Sequence, residues 1–530
     1  MPQQPDTGSA KQRRPAGLRL ALLAGLLLWL SCPPVTLWPL AWIAVAPLIV
    51  SVTRAERLRQ AVWRGYLFGW AYLGPVWYWV GLTIVAWTHS IIGWVAWFGL
   101  TLILAGFYAA WGGMAWWLSR RLSGGARILA FAAAWVVMEW ARTIGTLTMP
   151  WAQLSYTQYR FPAVLQFADL TGAYGVSFLL LLVNAAVAHW QQERGRPGSA
   201  RWIGVTGALA ALACLYGVVR MQQPDAGKPI TVAAMQANFN SFQVPSPDRQ
   251  IQTFADLTRL AMQSAPPPDL YVWAESTAPY DALHHGPTNE FMRRLARDTQ
   301  AGILVGTTIK DRLPLRQRRN LSDDDPNASL QSNSSVLFSP LGHPIRYNKQ
   351  QLVPFGEFIP FRAILAPLVG RAFDFPDNDV ESGTNRGVMR FDSPRVGEVA
   401  IGPFICYEAM YPNYARRMTA DGATLLATQS NDSWFQSRAA MEQHLASVVL
   451  RAIENRRQIV RSTTTGITCL LDAEGRVTQR APLNREAYLK ATMQRLEGKT
   501  LYTRLGDWFV LFCAVLVAVL MVKGKKRIEA

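Results

Sequence analysis

EVAIGPFICYE, residues 398–408, carries an apolar run that ends on a cysteine and is followed at once by Tyr407 and Glu408. Its composition is that of a buried strand, and the pattern over 410–421 reads as a helix, so Cys406 sits at a strand-to-helix corner. Such corners suit chemistry, because a sheet holds the residue rigidly while the adjoining turn exposes it.

The same grammar repeats on both sides of this corner. ITVAAMQANF (230–239), LYVWAES (270–276), GILVGTTI (302–309), SSVLFSP (334–340), ATLLATQSN (423–431) and GITCLLDAEGRV (466–477) have strand composition and turn-like flanks. Helical patterns cover 247–264, 289–299 and 437–456, the last with Met441, Leu445, Val448 and Ile453 near helical spacing. RQRRNLSDDDPNASLQSN (316–333) is polar and reads as a loop or insertion. Alternating elements over residues 221–503 predict one layered α/β domain.

The rest of the 530 residues has a different character. Half the chain is apolar and 21 residues are Trp. Residues 221–503 hold 31 Lys+Arg against 28 Asp+Glu, so of the net +18 only +3 belongs to this domain. The remaining +15 lies in mostly hydrophobic segments, which is the pattern of basic loops flanking membrane spans and excludes a nucleic-acid binder. Eight spans are expected, at 17–32, 34–53, 62–85, 90–118, 127–146, 165–190, 202–220 and 505–522. KQRR (11–14), RAERLR (54–59), SRRLSGGAR (119–127), QQERGRPGSAR (191–201) and KGKKR (523–527) fall on alternate connections. They place both termini in the cytoplasm and residues 221–503 outside it. The expected organisation is a seven-span domain (1–220), an outer α/β domain (221–503), and a last span with a basic tail (504–530).

The five cysteines show no CxxC and no ligand-like cluster, and three of them (Cys32, Cys214, Cys513) lie in apolar spans. Nothing in the spacing of Cys406 and Cys469 calls for a disulfide. Three reactive groups close strands or adjoin them in the outer domain: Glu275, Lys349 and Cys406. Taken singly, a solvated glutamate, a surface lysine and a core cysteine are the ordinary readings. Together they complement one another: a thiol needs a base to become a nucleophile, Glu supplies one, and Lys stabilises both a thiolate and a developing oxyanion. The set is coherent for acyl transfer.

Glu in WAESTAP, Lys in YNKQQLVPFGE and Cys in ICYE, in that order, resemble the nitrilase superfamily. The LVPFGE block, TGAYGVSFL (171–179), SNDSWFQS (430–437), and seven spans before the domain with one after it resemble the apolipoprotein N-acyltransferase family over nearly the whole chain. The resemblance implies an αββα sandwich outside the bacterial inner membrane, with Glu275 as general base, Lys349 as the charge-stabilising member and Cys406 as nucleophile. It implies Glu357 as a second active-site carboxylate, Tyr407 and Glu408 as residues flanking the nucleophile, and Trp434 as an aromatic near the pocket. The implied reaction takes an acyl chain from phosphatidylethanolamine onto the cysteine and then onto the α-amine of a diacylglyceryl-cysteine apolipoprotein. QSRAAMEQHL (436–445) departs from the family, whose members commonly carry Gly and Gly-Pro there.

Other residues carry weaker signals. Glu139 and Asp169 fall in spans, where ionisable groups are functional suspects or paired structural groups. His444 reads as a satisfied structural residue. FIPFRAILAPLVGRAFDF (358–375) reads equally as a membrane-dipping lid or a core helix. No phosphate loop, paired-His metal motif or dinucleotide fingerprint occurs, so no cofactor is expected. A membrane-anchored amidase acting on a small amide uses the same three residues, and a transporter with an inert outer domain is the rival from another class. The absence of an internal repeat weighs against the transporter.

Overall fold

The computed structural model describes residues 8–146, 148–312, 329–363, 379–384 and 387–526. Among the described residues, four helices are long and apolar enough to cross a bilayer: Ile92–Ser119, Gly124–Ala141, Ala173–Gln192 and Arg201–Arg220. The other expected spans are shorter or interrupted apolar helices, and the reasons are local. The stretch 34–53 is a 3-10 turn, Trp38–Trp42, followed by Ala46–Thr53, whose eight residues rise only about 12 Å. The stretch 62–85 breaks into Leu58–Val76 and Tyr78–Thr88 at Trp77, two residues after Pro75, which supplies no amide hydrogen and crowds the preceding turn. The stretch 165–190 starts late, because Gly172, with φ +70°, separates the short helix Ala168–Thr171 from Ala173–Gln192.

The outer domain holds two six-stranded sheets. The first has the order β12-β1-β2-β3-β4-β5, built from β1 (Lys228–Gln236), β2 (Leu270–Val272), β3 (Gly302–Arg312), β4 (Ser329–Phe338), β5 (Ile345–Asn348) and β12 (Ala487–Arg495). The second has the order β11-β10-β9-β8-β7-β6, with β6 (Met389–Ser393), β7 (Gly397–Ile405), β8 (Leu425–Ser430), β9 (Ile459–Thr463), β10 (Cys469–Leu471) and β11 (Val477–Arg480). Each sheet has three parallel strands at its centre, β1-β2-β3 and β7-β8-β9, with antiparallel strands outside them. Parallel centres are covered on both faces, which is why their strands read as near-continuous apolar runs.

Alternation along β1 sorts its side chains. Ile230, Val232 and Ala234 join the core shared with the second sheet, while Ala233 and Met235 face Phe254, Trp273 and Met292. Those last residues are covered by the helices Pro247–Met262 and Gly286–Thr299. On the second sheet lie Pro412–Ala420 and Arg438–Asn455. The layering is helix, sheet, sheet, helix.

Several boundaries differ from expectation. β4 begins at Ser329, inside the stretch read as a loop, because its polar residues Ser332 to Ser335 are buried against hydrogen-bond partners rather than solvent. The single strand expected at 466–477 is a hairpin, turned at Asp472, which accepts the amides of Glu474 and Arg476. β5, β6, β9, β11 and β12 carried too little apolar alternation to stand out. Residues 364–375 of the expected lid lie outside the described residues.

The helix Arg438–Asn455 is buried nearly all round, since the sheet packs on one side and the apolar helices on the other. Gln443 on it is saturated. Its Oε1 accepts the indole N–H of Trp79 (3.2 Å) and Trp151 (2.6 Å), and its Nε2 donates to the carbonyls of Pro33 (3.1 Å) and Val76 (3.2 Å). One amide therefore ties the corner after the first helix, the Trp77 break and the 148–152 loop to the sandwich. Asp169 does similar work, accepting from Arg456 (2.8 Å) and Tyr216 (2.9 Å), so it is a paired structural group. Glu139 accepts the amide of Leu154 (2.7 Å) and shapes the same loop region.

Candidate active site

β7 ends at Ile405, and Cys406 opens the 3-10 turn that follows, with φ +48°. A non-glycine residue in the left-handed region is held there by its surroundings. Here the restraints are specific. Glu408 Oε2 accepts the amide of Ile405 (2.6 Å), and His444 Nε2 donates to the Cys406 carbonyl (3.0 Å). Cys406 is partly exposed, and all five cysteines are free, including Cys469.

Glu275 arrives three residues after β2. Gly306 on the neighbouring β3 permits that approach, because a Cβ there would meet the Ala274 carbonyl at 2.4 Å and the Glu275 Cα at 2.7 Å. The Glu275 carboxylate is buried. Its Oε1 accepts from Asn333 Nδ2 (2.8 Å) and Lys349 Nζ (3.2 Å), and its Oε2 accepts the amide of Asn431 (2.9 Å) just past β8. Lys349 follows β5 and is only 1% exposed. Its Nζ also donates to Glu357 Oε1 (2.9 Å), whose Oε2 accepts the Val353 amide (2.8 Å). The ends of β2, β5, β7 and β8 thus converge, and they bring Glu275, Lys349, Glu357 and Cys406 into one electrostatic cluster.

The charges follow from this packing. Burial by itself would lower the Lys349 pKa, but Glu275 and Glu357 outweigh it and hold the ammonium well above the ordinary lysine range. Burial and the Glu275 carboxylate push the Cys406 thiol up, against the pull of Lys349 and Ser430. The resting sulfur is therefore a thiol, and to act as a nucleophile it would first have to lose its proton. Alkylation of Cys406 by iodoacetamide, followed by mass spectrometry without substrate, should rise through the ordinary thiol range near about 8.5 and show no plateau near neutrality. A plateau at neutral pH would mean a preformed thiolate.

The supporting residues occupy different places. Glu408 is fully buried and accepts from Tyr347 (2.7 Å) and the amide of Gln350 (2.7 Å), besides Ile405. Burial lifts it to about 7 against these hydrogen bonds. It staples the Lys349 loop to the Cys406 turn. Tyr407 turns away from the cluster and donates to the Thr148 carbonyl (2.8 Å), so it joins the corner to the apolar helices. Trp434 is 41% exposed, edge-on to Phe242 and Trp87.

Three residues were missed in the sequence. Asn333 donates to both Glu275 and Glu357 (3.0 Å to the latter), and its carbonyl accepts the Lys349 amide (2.8 Å). It lay in the stretch read as a loop, and its only signal was an amide beside an apolar strand. Asp432 and Arg461 flank His444, all three with fully buried side chains. Asp432 Oδ2 accepts from Arg461 Nη2 (2.7 Å), which also lies 3.2 Å from His444 Nδ1. Burial and Arg461 lower the His444 pKa, so the ring is neutral with its proton on Nε2, aimed at the Cys406 carbonyl.

A two-sheet sandwich whose strand ends gather a cysteine, a lysine and two carboxylates defines the carbon-nitrogen hydrolase class, and residues 231–500 match the family model described as carbon-nitrogen hydrolase. Residues 24–186 match the model of the apolipoprotein N-acyltransferase N-terminal domain. The chain is 32% identical over 520 residues to the apolipoprotein N-acyltransferase of Geobacter metallireducens, covering 96% of this chain and 95% of that one. To the apolipoprotein N-acyltransferase of Azotobacter vinelandii it is 31% identical, covering 94% of each. The chain belongs to the apolipoprotein N-acyltransferase family.

Proposed function

We propose that this protein transfers a fatty-acyl chain from a phospholipid to the α-amine of the N-terminal diacylglyceryl-cysteine of apolipoproteins, through a thioester on Cys406. The observation that carries the chemistry is the buried Glu275–Lys349–Glu357 cluster beside a conformationally restrained cysteine. The relatives' names carry the acceptor class.

In the first half-reaction Glu275 takes the Sγ proton as sulfur attacks the ester carbonyl. Lys349 stabilises the negative charge on the tetrahedral oxygen. The carbon–oxygen bond breaks, and Glu275 returns the proton to the departing lysophospholipid. In the second, the amine attacks the thioester, gives a proton to Glu275, and displaces sulfur, which recovers the proton. One carboxylate serves both halves, and the kinetics are ping-pong. Glu357 and Asn333 hold Lys349 in place, and Glu408 holds the nucleophile's turn.

The same reading places the helices of residues 1–220 and the last helix, Trp508–Lys526, in the bacterial inner membrane as eight crossings, with both termini cytoplasmic and residues 221–503 periplasmic. The alternation of basic loops supports it. Two membrane-borne substrates account for a hydrolase-like domain tied down at both ends, with phosphatidylethanolamine as donor. The exposed Phe361 and Trp434 would then border the lipid entrance.

Intact-protein mass spectrometry after incubation with phosphatidylethanolamine tests this reading. Wild type should gain a hydroxylamine-labile acyl adduct on Cys406, and Cys406→Ala should gain none. Equal labelling of both proteins would remove the thioester from the mechanism. Hydrolysis of a small amide, with no adduct from lipid, would favour the amidase reading.

A further inference from the structure

A polar cavity lies at the opposite ends of the apolar helices, away from Cys406. It measures about 250 Å³ and is lined by Thr53, Arg54, Ser119, Arg120, Arg127 and Gln192. Thr53, Ser119 and Gln192 close three helices, and Arg127 stands in the first turn of a fourth. Helix C-termini favour cations, which accounts for arginines in this region. It does not account for three of them around one open volume.

Their existing contacts leave most of the charge unanswered. Arg120 Nη2 donates to the Ala55 carbonyl (2.5 Å), and Arg127 Nη2 meets His189 Nδ1 (3.0 Å). Both partners are neutral acceptors, and the Arg120 guanidinium also lies over the Trp116 ring, 5.1 Å from its centroid. Among the described residues no carboxylate lies within ion-pair distance of Arg54, Arg120 or Arg127; Glu193, which pairs with Arg196, adds only a longer-range attraction at Arg127. Three guanidinia facing one cavity repel one another, so an anion that enters gains from all three at once. A guanidinium presents a planar fork of N–H donors that matches phosphate oxygens, whereas a zwitterionic headgroup brings its own cation into a basic site. Basic pockets between membrane helices are suited to anionic headgroups for this reason.

We propose that this cavity binds a phosphate anion, carried by an anionic lipid headgroup or free in solution, at a site separate from acyl transfer. The proposal does not depend on the acyl-transfer reading, since the Cys406 adduct forms or fails independently of it. The full-length protein in phosphatidylcholine nanodiscs is titrated with short-chain phosphatidylglycerol and, separately, with inorganic phosphate. Saturable binding to wild type should weaken about tenfold for each guanidinium replaced by glutamine. The triple Arg→Lys variant should keep part of it. Phosphatidylglycerol binding without phosphate binding assigns a lipid, and equal binding of both assigns free phosphate. If neither probe binds, or if the triple glutamine variant binds as wild type does, the proposal is wrong. Arg54→Gln keeps the test open should the triple variant unfold, because the Arg54 side chain is exposed and makes no hydrogen bond among the described residues.

Discussion

Glu275→Gln is expected to slow thioester formation about 10²- to 10⁴-fold in single-turnover experiments, the range that a positioned general base supplies. The argument begins with the thiol, which burial and Glu275 itself keep protonated at rest. Without the carboxylate, sulfur loses its nearby proton acceptor. Glutamine matches the shape, but its amide cannot accept from Asn333, Lys349 and Asn431 together, as the two carboxylate oxygens do. The residual rate should climb with pH as hydroxide takes over the deprotonation, while wild type is flatter over the same interval. A rate within tenfold of wild type, in a variant that melts normally, would assign the base elsewhere. Glu357, bonded to the same ammonium, is the next candidate.

The second large effect concerns stability. Arg461→Met removes the guanidinium that neutralises Asp432, leaving a carboxylate with no exposed surface and no cationic partner. Breaking such a pair from one side costs about 3–5 kcal/mol. The double variant Arg461→Met/Asp432→Leu should recover part of that loss, because no uncompensated charge remains. The pH dependence carries a definite sign. Burial would raise Asp432, but the Arg461 guanidinium and the Ser430 hydroxyl outweigh it and hold the carboxyl below the usual carboxylate range. A group depressed in the folded state adds stability above its unfolded value of about 3.9, and that stability is lost as pH falls through the folded value. Wild type should therefore lose stability steeply in acid, and Arg461→Met should lack that component. Denaturant unfolding at neutral and acid pH measures both. An unchanged midpoint in the single variant would show that Asp432 is neutralised by another group. Since His444 donates to the Cys406 carbonyl from the same cluster, the variant also tests whether the Cys406 turn relaxes when the cluster is broken.

Much of the site was legible before any coordinates. Cys406 and Glu275 follow apolar strands, and Lys349 and Glu357 sit in a short block of distinctive composition. Helix limits were close for the outer domain, with Arg438–Asn455 lying inside the expected 437–456. Asn333 was not legible, because a buried polar residue in a strand has the composition of a loop until its partners are known. Nor were the breaks at Trp77 and Gly172, since hydropathy averaged over a window passes over a single residue that interrupts the helix.

The sequence by itself determined what depends on local pattern: apolar segments flanked by basic loops, alternating strands and helices between them, and three chemically complementary residues in fixed order. These rest on hydrophobic periodicity and on charge near segment ends, both of which are properties of neighbours along the chain. Only the tertiary structure decided which strand ends meet, that Gly306 lets Glu275 approach, and that Tyr407 turns toward Thr148 rather than the cluster. It alone joined Gln443 to residues as distant as Pro33, and His444 to the carbonyl of Cys406. Such contacts are set by how two sheets and a bundle of helices exclude water together. Their partners lie tens to hundreds of residues apart, where no periodicity connects them.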